Sequence, residues 1–169
     1  MSSQTQPAFQ SSEELFQRGI EALESKQYQQ AIKLIQSAIE LDRQESTASG
    51  VKMRHLSYLG LALNLSQGRS EEGLKLCEQA ARREFFDADL FCNLGIAYLR
   101  NRQKKPAFEA FRKGLALKPG HRRIKEEVNR LERRSRPVFR GLPRNHSLNV
   151  FFGKLRYRLG ALFPGSNDE

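Results

Sequence analysis

The side chains with the greatest chemical potential in this sequence are three histidines, His55, His121 and His146, and two cysteines, Cys77 and Cys92. A zinc site asks for ligands at short fixed spacings, such as two histidines four apart on one helical face or closely paired cysteines. These five residues have neither spacing. Two cysteines are also too few for a disulfide framework, and they read as small apolar fillers. The carboxylate pairs Glu13 with Glu14 and Glu126 with Glu127 are adjacent, so on helices they point in different directions instead of flanking one bond. The sequence has no phosphate-cradling glycine loop and no nucleophile elbow. The expectation is therefore a chain that is not an enzyme and that takes no metal and no cofactor.

What the chain repeats is an arrangement of small residues. Gly19, Gly60 and Gly95 each stand in the middle of an apolar helical pattern, in LFQRGIEAL, LSYLGLALNL and LFCNLGIAYL, with separations of 41 and 35 residues. The longer first gap is filled by DRQESTASGVK, whose Ser, Thr and Gly content reads as an extended connection. After each glycine comes a second helical pattern, QQAIKLIQSAIEL, SEEGLKLCEQAARR or KKPAFEAFRKGLALKP, with Ala31, Gly73 and Ala107 in corresponding places. A mid-helix glycine costs up to about 1 kcal/mol against alanine, so its recurrence predicts a neighbouring backbone close by. Each unit is thus a tightly crossed helical hairpin. Past Gly120, HRRIKEEVNRLERR reads as one more helix with Ile124, Val128 and Leu131 on one face, a polar cover for the end of a stack.

These units resemble tetratricopeptide repeats. The third, ADLFCNLGIAYLRNRQKKPAFEAFRKGLALKPG, matches the family pattern at Phe91, Leu94, Gly95, Tyr98, Ala107, Phe111, Gly114 and Pro119. The first matches through Leu15, Gly19, Tyr28, Ala31, Ile35 and Ala38, with Ala22 where a Tyr is usual and Arg43 where a Pro is. The second retains Leu56, Leu59, Gly60, Leu63 and Ala80, but has Gly73 and Cys77 in place of the usual Ala and aromatic, and one extra residue around SQGRS. The resemblance implies an all-α fold of hairpins stacked as a short right-handed superhelix, with units at about 12–45, 53–87 and 88–121. A polar lead (1–11) precedes them, and a capping helix (122–134), a linker (135–146), a basic amphipathic segment (147–163) and a short end (164–169) follow.

The resemblance also implies a function, the binding of a protein or peptide segment in a concave groove lined by the first helix of each unit. The family's contact positions fall here on Glu13, Phe16, Gln17 and Ile20 in the first unit, on Arg54, Ser57, Tyr58, Leu61 and Asn64 in the second, and on Asp89, Cys92, Asn93 and Ile96 in the third. Ile20, Leu61 and Ile96 could equally be core residues, since apolar helical positions usually are. Co-chaperones of this family that grip a terminal carboxylate need cationic donors where this chain has Phe16, Ile20, Tyr58, Asp89 and Asn93, which argues against a heat-shock C-terminal peptide as ligand.

Charge is concentrated at the C-terminal end. The chain carries 29 Lys and Arg against 19 Asp and Glu, a net charge of +10, and no acidic side chain lies between Arg133 and Phe163. The basic side chains there are Arg133, Arg134, Arg136, Arg140, Arg144, Lys154, Arg156 and Arg158. From Leu148 to Phe163 apolar residues recur at helical spacing beside Lys154, Arg156 and Arg158, although Gly153, Gly160 and a strand-like alternation over 154–159 compete with a helix. Three uses of this segment stay open: covering apolar surface on its own repeats, lying on an anionic membrane surface, or binding nucleic acid. Nucleic acid is the least favoured, because the aromatic residues align on the apolar stripe and form no exposed stacking platform. The leading residues MSSQTQPAFQSSEEL offer no basic start and no apolar run, so a cytoplasmic location, with the inner membrane surface as a variant, is the default expectation. Adaptor or scaffold is the leading functional reading; a membrane-associated repeat protein and a chaperone for a secreted substrate are the alternatives.

Overall fold

The computed structural model describes residues 11–45 and 51–134, and within them the chain is helical, with no strand among the described residues. The helices are α1 (Ser12–Glu24), α2 (Tyr28–Glu45), α3 (Met53–Leu65), α4 (Ser70–Arg83), α5 (Ala88–Arg100), α6 (Lys104–Leu117) and α7 (Arg122–Arg134). Contacts divide the chain into two compact units, residues 1–128 and 129–169. All packing described below lies in the first; of the second, the end of α7 is described.

Local signals set the ends of several helices. Ser11 accepts from the Glu14 amide while the Glu14 side chain accepts from the Ser11 amide, a complete capping box that starts α1. Asp87 accepts from the amide of Asp89 and starts α5. Each hairpin turns through one left-handed residue, Lys26 (φ 61°), Gly68 (φ 78°) or Arg102 (φ 60°). In the first and third hairpins the same bonds seal the turn: Gln27 N–H to Ala22 O at 2.8 Å and Gln103 N–H to Tyr98 O at 2.9 Å.

The pairs α1/α2, α3/α4 and α5/α6 are the hairpins, and each following first helix packs into the angle left by the pair before it: α3 lies on α2, and α5 lies on both α3 and α4. Among the described residues α1 touches α3 and α3 touches α5, while α2, α4 and α6 do not touch one another. An inner row in contact and an outer row spread apart is a curved stack with the first helices on its concave side.

The glycines explain how close the hairpins come. A β-carbon on Gly19 would stand 2.5 Å from Ile35 Cγ1, and one on Gly95 would stand 2.3 Å from the Phe111 ring. In the second hairpin two glycines face each other: a β-carbon on Gly73 would meet the Gly60 carbonyl at 2.3 Å and the Asn64 nitrogen at 2.4 Å. The departures of this unit from the family pattern therefore belong together. Gly73 brings α4 onto the backbone of α3, and the space left there suits the small Cys77, whose thiol donates to the Ser57 carbonyl at 3.4 Å. Burial drives the Cys77 thiol pKa far above its ordinary value, and the same cause pushes that of Cys92 up to about 11.

Candidate functional site

The inner face begins with an aromatic floor. Phe16 on α1 is fully buried, its ring 4.0 Å from the His55 ring and 5.4 Å, edge-on, from the Tyr58 ring on α3. Two arginines sit on this floor. The exposed Arg54 guanidinium lies 5.6 Å from the Phe16 ring centroid, and Arg123, from the first turn of α7, lies 5.8 Å from that of Tyr58. The sequence Arg54, Phe16, Tyr58, Arg123 is thus a continuous ladder of cations and rings along the first helices.

Arg123 is also the hydrogen-bonding hub of the face. It donates through Nη1 to the Tyr58 hydroxyl at 3.1 Å and through Nη2 to Asn93 Oδ1 at 3.2 Å, and it stands 3.9 Å from Asp89 Oδ1. Asn93 passes the connection on, donating to Ser57 Oγ at 3.2 Å. Burial raises the Tyr58 pKa above its ordinary value, so the hydroxyl stays protonated while it accepts from the guanidinium.

Two histidines fasten the connections between units. His55 Nδ1 is 2.7 Å from Asp42 Oδ2, and Asp42 accepts through its other oxygen from Ser12 Oγ at 2.5 Å and faces Lys52 Nζ at 3.3 Å. The carboxylate fixes the tautomer, since it needs an Nδ1–H donor. Burial lowers the His55 pKa against the opposing pull of Asp42. Burial also pushes the Asp42 carboxyl up, but the Ser12 bond and the neighbouring His55 more than offset this and hold it below the usual carboxylate range. At the other end, His121 Nδ1 accepts from the Ile124 amide at 3.3 Å, which leaves Nε2–H to donate to Asp89 at 3.1 Å. His121 thereby caps α7 and aims Arg123 into the face.

The positions expected to contact a partner separate into two groups. Phe16, Ser57, Tyr58, Leu61, Asn64, Cys92 and Asn93 are buried, because each first helix is flanked on two sides. Leu61 belongs to the core shared by α1, α2 and α3, with Ile20 and Ile96 half-buried against it. Asn64 donates to the Ser70 carbonyl at 2.6 Å, closing the turn of the second hairpin. Gln17, Arg54 and Glu13 are exposed, and Asp89 is half-exposed. The tail residues Arg136, Arg140, Arg144, Lys154, Arg156 and Arg158 lie outside the described residues, as do the side chains of Arg133 and Arg134.

The sequence reading missed Arg123, having treated its helix as polar cover. A signal was available: Arg123 follows Asp89 by 34 residues, one repeat, and so occupies the contact position of a fourth first helix. His55 and His121 were also passed over as chemically idle. Among the described residues no cluster of His, Cys, Asp or Glu could hold a metal ion.

Helices paired in this way, curved with their first members inside and crossing at glycines, define a helical-hairpin repeat protein. Residues 88–121 match the tetratricopeptide repeat model. The fold is shared with solved structures of that class. The tetratricopeptide-repeat domain of Sgt2 from Aspergillus fumigatus is 19% identical with a TM-score of 0.58, covering 97% of this chain and 95% of that one. The corresponding domain of Arabidopsis OM64 is 21% identical with a TM-score of 0.56, covering 74% and 97%. YrrB, a tetratricopeptide-repeat protein with an unusual peptide-binding site, is 19% identical with a TM-score of 0.53, and the chain spans 59% of its length. No curated protein matches the sequence. Residues 88–121 are thus a tetratricopeptide repeat by sequence, and the other two hairpins share the fold of tetratricopeptide-repeat structures.

Proposed function

We propose that the repeats are a binding module for a peptide segment of a protein partner, which lies along the first helices over the ladder from Arg54 to Arg123. Proteins of this repeat class mediate protein–protein contacts, and the observation that carries the reading here is the ladder itself. Its buried rings form a rigid floor, and polar groups of both signs stand above it: Arg54, Arg123, Gln17, Glu13 and Asp89. Because the rings are buried, they hold the side chains above them in place and do not themselves touch a ligand, and the charged rim sets register and direction. Alternating charge along the rim, from Glu13 through Arg54 and Asp89 to Arg123, favours a segment of mixed charge over a uniformly acidic one.

The test is a phage-displayed peptide library selected on the full chain, with each selected peptide then titrated against Arg54→Glu and Gln17→Lys. Both residues are exposed, so their exchange leaves the core intact. The expected result is a loss of affinity of about tenfold or more for either variant, in line with a desolvated charge contact of about 1.4 kcal/mol or above. Peptides that bind both variants as tightly as the parent chain lie elsewhere, and that result refutes the reading. No helix among the described residues is long and apolar enough to cross a membrane.

A further inference from the structure

Charge divides this chain unevenly. Residues 1–89 hold 10 Lys and Arg against 13 Asp and Glu, whereas residues 90–163 hold 19 against 4. From Leu90 to Lys125, a stretch that takes in nearly all of α5, the whole of α6 and the first turn of α7, the single acidic residue is Glu109, against ten Lys and Arg.

On α6 this excess becomes a surface. The helix buries Ala107, Ala110, Phe111 and Gly114, which share one side at helical spacing, and packs against α5. Lys105, Glu109 and Arg112 recur at the same spacing on the opposite side, with Lys104, Lys113 and the turn residue Arg102 beside them, and all six are exposed. None of the five cations makes an ion pair among the described residues. From Lys104 to Lys113 they extend over about 14 Å of helix axis, at about 1.5 Å per residue. The outward face of α6 is thus five cations to one carboxylate, with no internal neutralisation.

We propose that this face binds the phosphate backbone of a nucleic acid duplex, with Arg102, Lys104, Lys105, Arg112 and Lys113 as the phosphate contacts. The composition of the face selects the partner. A protein interface is built around an apolar or aromatic centre depleted of lysine, and α6 exposes one large apolar side chain, Leu117, at its last residue. Insertion into a lipid interface needs apolar side chains beside the cations, and the exposed rings of Phe85 and Phe86 are bracketed by Glu84 and Asp87. A single strand asks for exposed rings on which bases stack, whereas Phe108 is half-buried and Phe111 buried. Backbone contact with a duplex asks for neither rings nor apolar groups, only for lysines and arginines placed to displace counterions. A second helix carries the face, so it stands or falls independently of peptide binding along the first helices.

The test is fluorescence anisotropy of labelled DNA and RNA duplexes of about 20 bp with the full chain, at salt between about 50 and 200 mM. The parent chain should bind at the lower salt and release the duplex steeply as salt rises. Lys105→Glu/Arg112→Glu should weaken binding by about tenfold or more and lower the slope of log affinity against log salt by about 2, one for each phosphate contact removed. Arg18→Glu/Lys33→Glu makes the same change of net charge at exposed positions of α1 and α2, and should leave affinity within about twofold of the parent, since more than a Debye length of about 10 Å separates them from α6. Far-UV circular dichroism of both variants should match that of the parent, as all four side chains stand in water. Four results overturn the proposal: no binding of either duplex by the parent chain at the lower salt; an equal loss in both variants, which reduces the effect to net charge; undiminished binding by Lys105→Glu/Arg112→Glu, which assigns it to the basic tail; or displacement of the duplex by polyglutamate at equal charge concentration, which assigns the face to an acidic polypeptide.

Discussion

The facing glycines of the second hairpin give the sharpest test of why this unit departs from its neighbours. In Gly73→Ala the new β-carbon would lie 2.3 Å from the Gly60 carbonyl oxygen and 2.4 Å from the Asn64 nitrogen. Ordinary contacts of this kind begin near 3.4 Å, so two overlaps of roughly 1 Å arise at once. Both obstacles are backbone atoms inside the hydrogen-bonded body of α3, and neither can rotate away. The helix α4 must withdraw, loosening the contact between Cys77 and Ser57. Overpacking costs about 1–3 kcal/mol, and a double backbone clash belongs at the top of that range. Alanine returns about 1 kcal/mol of helix propensity. The net loss is about 2 kcal/mol, and for a unit of this size 1 kcal/mol corresponds to about 4 °C, so Tm should fall by about 8 °C. Thermal unfolding followed by far-UV circular dichroism measures it, with Gly120→Ala as control, since a β-carbon there meets nothing within 4 Å. If Gly73→Ala unfolds at the parent temperature or above it, the close crossing does not set the geometry of this hairpin, and the coupled account of Gly73 and Cys77 is wrong.

Acid should destabilise the fold in two steps. The folded pKa of His55 is lowered, so the unfolded chain takes up that proton first and stability declines as pH falls below about 6.5. The folded pKa of Asp42 is also lowered, so its contribution is present above about 3.9 and is lost as pH falls further; Asp42→Asn should flatten the lower step in a series of Tm against pH. Iodoacetamide should leave Cys77 and Cys92 unmodified in the native chain, with mass spectrometry detecting alkylation only under unfolding conditions, because both thiols are buried and their pKa values are raised. Arg102→Gly should raise Tm by a few degrees, since a left-handed residue other than glycine costs about 1 kcal/mol; an unchanged or lower Tm counts against strain in that turn. Arg123→Ala should cost about 1–2 kcal/mol in urea unfolding by leaving the buried Asn93 oxygen without this donor, whereas Arg54→Ala should cost less than about 0.5 kcal/mol.

The hairpins were legible because their signal is local and recurs. One glycine in each first helix and one small residue in each second helix mark a crossing, and the crossing follows from backbone sterics. The inner face was legible only in part. The repeat register locates Phe16, Tyr58 and Asn93 on it, but not their burial, which depends on how closely α1, α3 and α5 approach. His55 and His121 carried no readable pattern because their carboxylate partners, Asp42 and Asp89, lie 13 and 32 residues away on other helices. Arg123 was obscured for a different reason. In a helix as polar as α7 an arginine reads as solvent cover, and only the one-repeat offset from Asp89 distinguishes it from Arg122.

In a stack of repeats each unit ordinarily touches its immediate neighbours, and stability is close to a sum of units and adjacent interfaces. Arg123 breaks that rule, for it joins α7 to Tyr58, 65 residues earlier and two first helices away. Curvature makes the reach possible: on the outer side the second helices stand apart, whereas on the inner side a long side chain can span an intervening helix, with Asn93 of α5 as the intermediate support. The bonds that couple distant units are therefore located on the surface proposed above for a peptide segment. On the proposed reading, a ligand contacting Arg123 engages a group already bonded to Tyr58 of α3 and Asn93 of α5, so this part of the face is ordered before binding.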